Sequence, residues 1–293
     1  MESCRTPRPV VDEGGRTFMV LAGRPDDRQF DCKSWGDVTM EAERRLEVDG
    51  EMLIFDIKDV QHRRGDFPAI NVGLSFGHGQ PHPIVRGNGK NGPVLNDLME
   101  SWPMQRIAGY VNSQFAMWAP RLHHEYVSYQ QKIYEKNPTL QPLYPNHAFT
   151  NAAFNFGGKV VTFPHVDHRN VPHGWCSITS LGSYDYRKGG HVVLWDLGLV
   201  VQFPPGSTTF LPSATMRHSN TAIGEGEKRF SITHYTCGGL FRWVDYGFRT
   251  MKEVMKKDKQ GFRAVEASRA NFGEQALKKY STLSELRKNA GCK

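Results

Sequence analysis

The sequence predicts an α+β fold: a double-stranded β-helix (jelly roll) from about residue 150, with flanking helices ahead of it. Three observations predict it. Residues 94–136 carry apolar side chains at helical spacing. After Phe149 the pattern becomes short apolar runs (VVTF, CSITSL, HVVLW, LVVQF, TTFL, FSITHY) split by Gly, Pro and Asp, which marks an all-β sandwich or barrel. Chemically distinctive residues at 165–167 and at 218 lie far apart in that β half, and only a sheet that returns past itself can unite them.

Taken in order, TFMVLA at 17–22 reads as a short buried strand. Residues 39–48 read as a helix with Met40, Ala42 and Leu46 on its apolar side, and MLIFDI at 52–57 as a strand. The stretch 65–92, rich in Gly, Pro and His, reads as loop. Residues 94–102 and 105–118 read as helices. Pro120 suits the first position of another, whose Leu122, Tyr126, Tyr129 and Ile133 give it an apolar face. PPG at 204–206 is a turn signal inside the β half, and residues 251–293 return to helical composition as an expected appendage. There is no internal repeat and no low-complexity block.

Composition excludes several classes. Of 293 residues, 39% are hydrophobic and 23% charged, with 17 Phe, 10 Tyr and 6 Trp, so a wholly disordered chain is excluded. No run reaches the roughly 18 apolar residues of a membrane helix, and MESCRTPRPVVDEGG lacks the apolar region of a secretory signal. Five scattered cysteines (Cys4, Cys32, Cys176, Cys237, Cys292) argue against a disulfide framework or a Cys-rich zinc module and fit a reducing compartment. The net charge is +7, but 251–293 hold 11 Lys/Arg against 5 Asp/Glu, so the basic character belongs mostly to the C-terminal segment. Such a segment can attract nucleic acid through its phosphates, or simply form a solvated amphipathic helix.

The stretch FNFGGKVVTFPHVDHRNVPHGW carries the chemistry. His165 and Asp167 lie two apart beside a strand-like run, so both side chains can point one way, and MRHSN supplies His218. Two imidazoles and one carboxylate are the ligand set of a facial triad for non-haem Fe(II), with positions left open for O2 and a co-substrate. Arg229 opens the run RFSITHY, beyond a polar hairpin. A guanidinium there can grip the far carboxylate of 2-oxoglutarate in a two-pronged salt bridge. The residues alone leave a zinc-bearing cupin open.

HVDHRNVPHGW resembles the iron motif of the TET/JBP family of nucleic-acid-modifying oxygenases, and more closely its fungal, mushroom-type branch. The family pattern, H-x-D-x-x-N with Gly four residues later, falls on His165, Asp167, Asn170 and Gly174. The resemblance implies an oxygenase domain over 1–250 and a basic helical segment over 251–293. It implies 2-oxoglutarate contacts from His191, Arg229 and Ser231. Substrate contacts are implied for Asn170, which would bond the target base, and for Tyr235, which would stack on it. The implied substrate is methylated duplex DNA with the base flipped out, which also implies a nuclear location. TFMVLAGRPDD and GLSFGHGQ share a fainter likeness with the fungal branch.

Two departures bear on specificity. Animal members place a second base-reading histidine where this chain has Cys237, and they carry a Cys-rich zinc region that this chain cannot build. A thiol is a poor hydrogen-bond partner for a cytosine edge, so N6-methyladenine demethylation stands beside 5-methylcytosine oxidation. An oxygenase acting on a protein or small molecule, and a non-catalytic DNA-binding module, are the alternatives.

The remaining features read as follows. GNGKNG at 87–92 fits G-x-G-x-x-G but lacks the βαβ context of a dinucleotide site. His78, His82, His123, His124 and Glu125 do not form a recognised metal spacing. Asn155 either faces the co-substrate or ends a strand, and His168 lies either behind the metal ligands or on the surface. Trp175 and Cys176 are expected in the core.

Overall fold

A computed structural model describes residues 6–26, 33–77, 79–268 and 270–291. Cys4, Cys32, His78 and Cys292 lie outside the described residues. The chain opens with β1 (Arg8–Val11) and β2 (Thr17–Gly23). Helix α1 (Trp35–Met52) starts from a capping box in which Ser34 and Asp37 satisfy each other's backbone N–H. Short elements follow: α2 (Ile57–Val60), β3 (Gln61–His62), β4 (Gly65–Asp66), β5 (Ala69–Ser75) and β6 (Ile84–Val85). Next come α3 (Gly92–Glu100), α4 (Trp102–Trp118) and α5 (Pro120–Lys136).

The second half runs through β7 (Asn151–Asn155), β8 (Cys176–Ser183), β9 (Val192–Leu194), β10 (Leu199–Val201), β11 (Thr208–Leu211), β12 (His218–Asn220) and β13 (Lys228–Tyr235). It ends with α6 (Gly238–Asp245), α7 (Met251–Lys257), α8 (Lys259–Ser268), α9 (Phe272–Leu277) and α10 (Leu283–Asn289).

The expected jelly roll is present. An eight-stranded antiparallel sheet runs β1-β2-β11-β8-β13-β7-β5-β6, and a three-stranded sheet runs β10-β9-β12. One face of the large sheet is covered by helices. Trp35, Val38, Ala42 and Leu46 of α1, Leu95 and Leu98 of α3, and Ile107, Val111 and Phe115 of α4 pack there with Phe154, Phe230 and Ile232. A second cluster contains Met19, Cys176, Val192, Leu194 and Leu211, and so joins strands of the two sheets. Trp175 and Cys176 are buried as expected.

Several elements differ from the sequence reading. The first helix is longer than 39–48, and Met40 is exposed while Ala42 and Leu46 are buried. MLIFDI is not a strand. Met52 ends α1, and the backbone N–H and C=O of Ile54 are both taken by the side-chain amide of Asn91, at 2.9 and 2.7 Å, leaving none for a ladder. The 65–92 stretch is not all loop, because β5 pairs with β7 inside the large sheet. Its Gly73 has φ +101° and lies where a Cβ would sit 2.1 Å from the Thr150 carbonyl oxygen. That glycine permits close strand contact rather than marking a turn. VVTF forms no ladder strand; it is pinned by the Asn220 side chain on Thr162 N–H (2.9 Å) and by Arg64 O on Phe163 N–H (2.7 Å).

The C-terminal segment is not an appendage. Thr17 N–H donates to Ser281 O and Leu283 N–H to Gly15 O, both at 2.9 Å. Tyr280 joins the main core, its hydroxyl donating to His173 O at 2.9 Å, and Arg121 pairs with Glu285.

Candidate active site

Strand periodicity builds the site. Along β13, Phe230 and Ile232 enter the core beneath the helices, whereas Arg229, Ser231 and Thr233 point into a cavity between the sheets. Register sets Asn155 of β7 opposite Ser231. The cavity is closed by Ile178, Val192, Thr162, Asn220, Arg64 and the three residues His165, Asp167 and His218.

His165 and His218 are brought together by a backbone bridge in which each N–H donates to the other's carbonyl, at 3.0 and 2.9 Å. Asp167 is held by its own N–H on Ser213 O at 2.7 Å. Candidate ligand atoms of the three residues lie within 4.8 Å of one another, the only such group of three among the described residues. His165 Nδ1 lies 2.7 Å from Phe163 O, and His218 Nδ1 lies 2.9 Å from Met216 O. A carbonyl can only accept, so each Nδ1 carries the proton and each Nε2 presents its lone pair. These two nitrogens lie 3.9 and 3.8 Å from the Asp167 carboxylate. Two neutral imidazoles and one carboxylate fit Fe(II).

The electrostatics favour the neutral form of His165. Burial, then the proximity of His218, pushes His165 down to about 4. Burial acts to raise the Asp167 carboxyl, but His218, His165, Arg64 and Arg63 together outweigh it and hold it below the usual range. Arg63 Nη2 donates to Asp167 Oδ1 at 3.1 Å and Nη1 to Val166 O at 2.9 Å. No signal in the sequence marked Arg63 as a partner of the triad.

Arg229 is 2% exposed. Its Nη1 donates to Val160 O at 3.0 Å, its Nε has no hydrogen-bond partner, and among the described residues no carboxylate pairs with it. Burial lowers its pKa. Asn155 donates from Nδ2 to Ser231 Oγ at 2.9 Å, and its Oδ1 is also without a partner. A buried guanidinium with a free Nε and no carboxylate partner among the described residues, in the cavity that holds the triad, fits the distal carboxylate of 2-oxoglutarate. His191 does not join this cavity. Its Nε2 meets Tyr186 O at 2.9 Å, and its neighbour Val192 lines the wall instead.

A second, outer pocket shares Arg64, Asp167 and Thr233 with the first. It is lined by Asn170, Tyr235 and Cys237, the positions that the family resemblance singled out for substrate, and by His168. Asn170 Nδ2 donates to Ser213 Oγ at 3.0 Å, and the Tyr235 hydroxyl to Asn71 Oδ1 at 2.9 Å. Burial pushes the Cys237 thiol up to about 11, so it is neutral. Lys58, Arg63, Arg64, Arg86 and Arg169 also line this pocket. The sequence reading missed that basic rim, because its members come from separate segments. Glu125 is taken up by His173 (2.8 Å) and Lys279 (3.0 Å) rather than by a metal. Gly174, the motif's glycine, abuts α5: a Cβ there would lie 1.8 Å from the Tyr126 hydroxyl.

No family model and no curated protein matches the sequence. Solved structures do match. NgTET1 in complex with 5mC DNA is 17% identical, with 80% of this chain and 78% of that chain covered and a TM-score of 0.57. OsALKBH1 is 12% identical over 78% and 97% of the two chains, with a TM-score of 0.41. A 2OG-Fe(II) oxygenase family oxidoreductase from Burkholderia pseudomallei is 14% identical over 71% and 94%, with a TM-score of 0.34. The fold is a jelly roll that overlays NgTET1, and its donor set, two imidazoles and a carboxylate with a buried arginine in the same cavity, fits Fe(II) and 2-oxoglutarate. The particular likeness is to the NgTET1 backbone, and at this identity it is a likeness of fold.

Proposed function

We propose that the chain is an Fe(II)- and 2-oxoglutarate-dependent dioxygenase that oxidises methyl groups on DNA bases, a TET-like enzyme of the fungal type acting in the nucleus. The observation that carries the DNA reading is the outer pocket. It shares Asp167 with the metal group and is rimmed by five cationic side chains, as a phosphate-bearing substrate requires. The overlay with a protein solved on 5mC DNA supports the same reading.

In this reading His165, Asp167 and His218 hold the metal, and Arg229 anchors the co-substrate's distal carboxylate beside Asn155 and Ser231. When bound, iron and 2-oxoglutarate supply, with O2, the oxidant that a methyl C–H bond needs, and succinate is released. Tyr235 stacks on a base flipped out of the duplex, and Asn170 bonds its edge. Lys58, Arg86 and Arg169 of the rim, with the tail lysines, hold the sugar–phosphate backbone without regard to sequence.

The test is mass spectrometry of nucleosides after incubating 5-methylcytosine and N6-methyladenine duplexes with protein, Fe(II) and 2-oxoglutarate. Hydroxymethylcytosine, or loss of N6-methyladenine, is expected. Succinate formed with both bases untouched returns the site to a protein or small-molecule substrate.

A further inference from the structure

Two adjacent arginines, Arg63 and Arg64, form the tip of the hairpin between β3 and β4. They do different things. Arg63 is spent on Asp167 and Val166. Arg64 uses its carbonyl to accept from Phe163 N–H, while its guanidinium makes no hydrogen bond among the described residues. Arg64 lines both the metal cavity and the outer pocket, with Asp167 and Tyr235 as its charged and aromatic neighbours. It therefore stands between the metal group and the ring expected to stack on the base.

We propose that Arg64 reads the edge of the target base and selects 5-methylcytosine over N6-methyladenine; this rests on the DNA-base reading above. A guanidinium presents two parallel N–H donors and accepts nothing. The cytosine edge offers two neighbouring acceptors, N3 and O2, that match this fork. The N6-methyladenine edge offers N1 beside a C–H, so one donor is left facing carbon. Thymine presents N3–H to the same fork and is repelled. Cys237, a neutral thiol in the same pocket, cannot supply such a contact. Arg64 supplies it from the opposite end of the sequence.

The test measures kcat/KM for the full chain on the two methylated duplexes, with 2-oxoglutarate KM recorded in parallel. Arg64→Gln is expected to lower kcat/KM on 5-methylcytosine at least about tenfold, as loss of a two-pronged base contact does. N6-methyladenine should be little affected and the 2-oxoglutarate KM unchanged. A duplex carrying 3-deaza-5-methylcytosine, which replaces the N3 acceptor with C–H, probes the wild-type protein directly. It should react about tenfold more slowly than 5-methylcytosine, which keeps the test decisive should the variant not fold. An equal loss on both bases, a raised 2-oxoglutarate KM, or full activity on the deaza base overturns the assignment. Wild-type protein that oxidises no base overturns the DNA reading itself, and Arg64's role with it.

Discussion

Asp167 supplies the only carboxylate of the candidate metal group, and Arg63 pairs with it at 3.1 Å. Asp167→Ala leaves neutral ligands alone and is expected to abolish iron-dependent succinate formation; retained turnover would remove it from the ligand set. Arg229 differs in kind, because its charge lies buried with no carboxylate pairing with it among the described residues. Truncating one member of a buried charge pair costs enough that Arg229→Ala should raise the 2-oxoglutarate KM about 30-fold or more. An unchanged KM would mean the carboxylate sits elsewhere. These four residues were legible in the sequence because their spacing follows from how a jelly roll returns on itself. Arg63, Arg64, Arg86 and Arg169 were not. Each is an ordinary surface-type residue locally, and only the fold brings them to one rim. His191, the resemblance's other co-substrate contact, lies just ahead of β9 and outside the cavity lining, where Val192 faces in.

Elements were legible where periodicity and burial agreed. Helix α5 began at its proline, and β2, β8, β11 and β13 fell on the apolar runs. Strand β12 escaped notice because HSN is short and polar, and β7 was hinted at only by Asn155 at its end because NAAFN is short and two of its three apolar residues are alanine. The motif's glycine belongs to this scale as well. Gly174→Ala would drive a methyl into Tyr126, so it should destabilise the fold by about 1–3 kcal/mol through overpacking, read as a lowered melting temperature. Cofactor affinity should follow stability rather than fall independently. The C-terminal segment is likewise held by packing. Tyr280→Ala removes an aromatic ring from the main core and should cost about 3 kcal/mol; a neutral result would show that 271–291 docks without it.

For the whole molecule, pH is the most direct probe. Burial holds His234 down to about 3 and His165 down to about 4, and lowers His147 well below its ordinary 6.5. Below 6.5 the unfolded chain takes up protons that these native imidazoles refuse. The unfolded state then binds more protons, so stability falls as pH drops from 6.5 toward about 3 for His234 and about 4 for His165. The lowered Asp167 acts in the same direction at still lower pH, as its carboxylate becomes protonated. Moving from about pH 7.5 to about pH 5 should cost about 2 kcal/mol from His234 alone, visible in the urea midpoint. A flat midpoint over that range would show these histidines to be solvated.

The mutual N–H to carbonyl pair between His165 and His218 does not depend on anything bound between the two rings. Chelation should therefore strip the protein without melting it, and returning ferrous salt should restore full occupancy with no refolding lag. Other divalent ions ought to lodge there as inert competitors, which makes the fraction of enzyme loaded a matter of supply rather than of assembly.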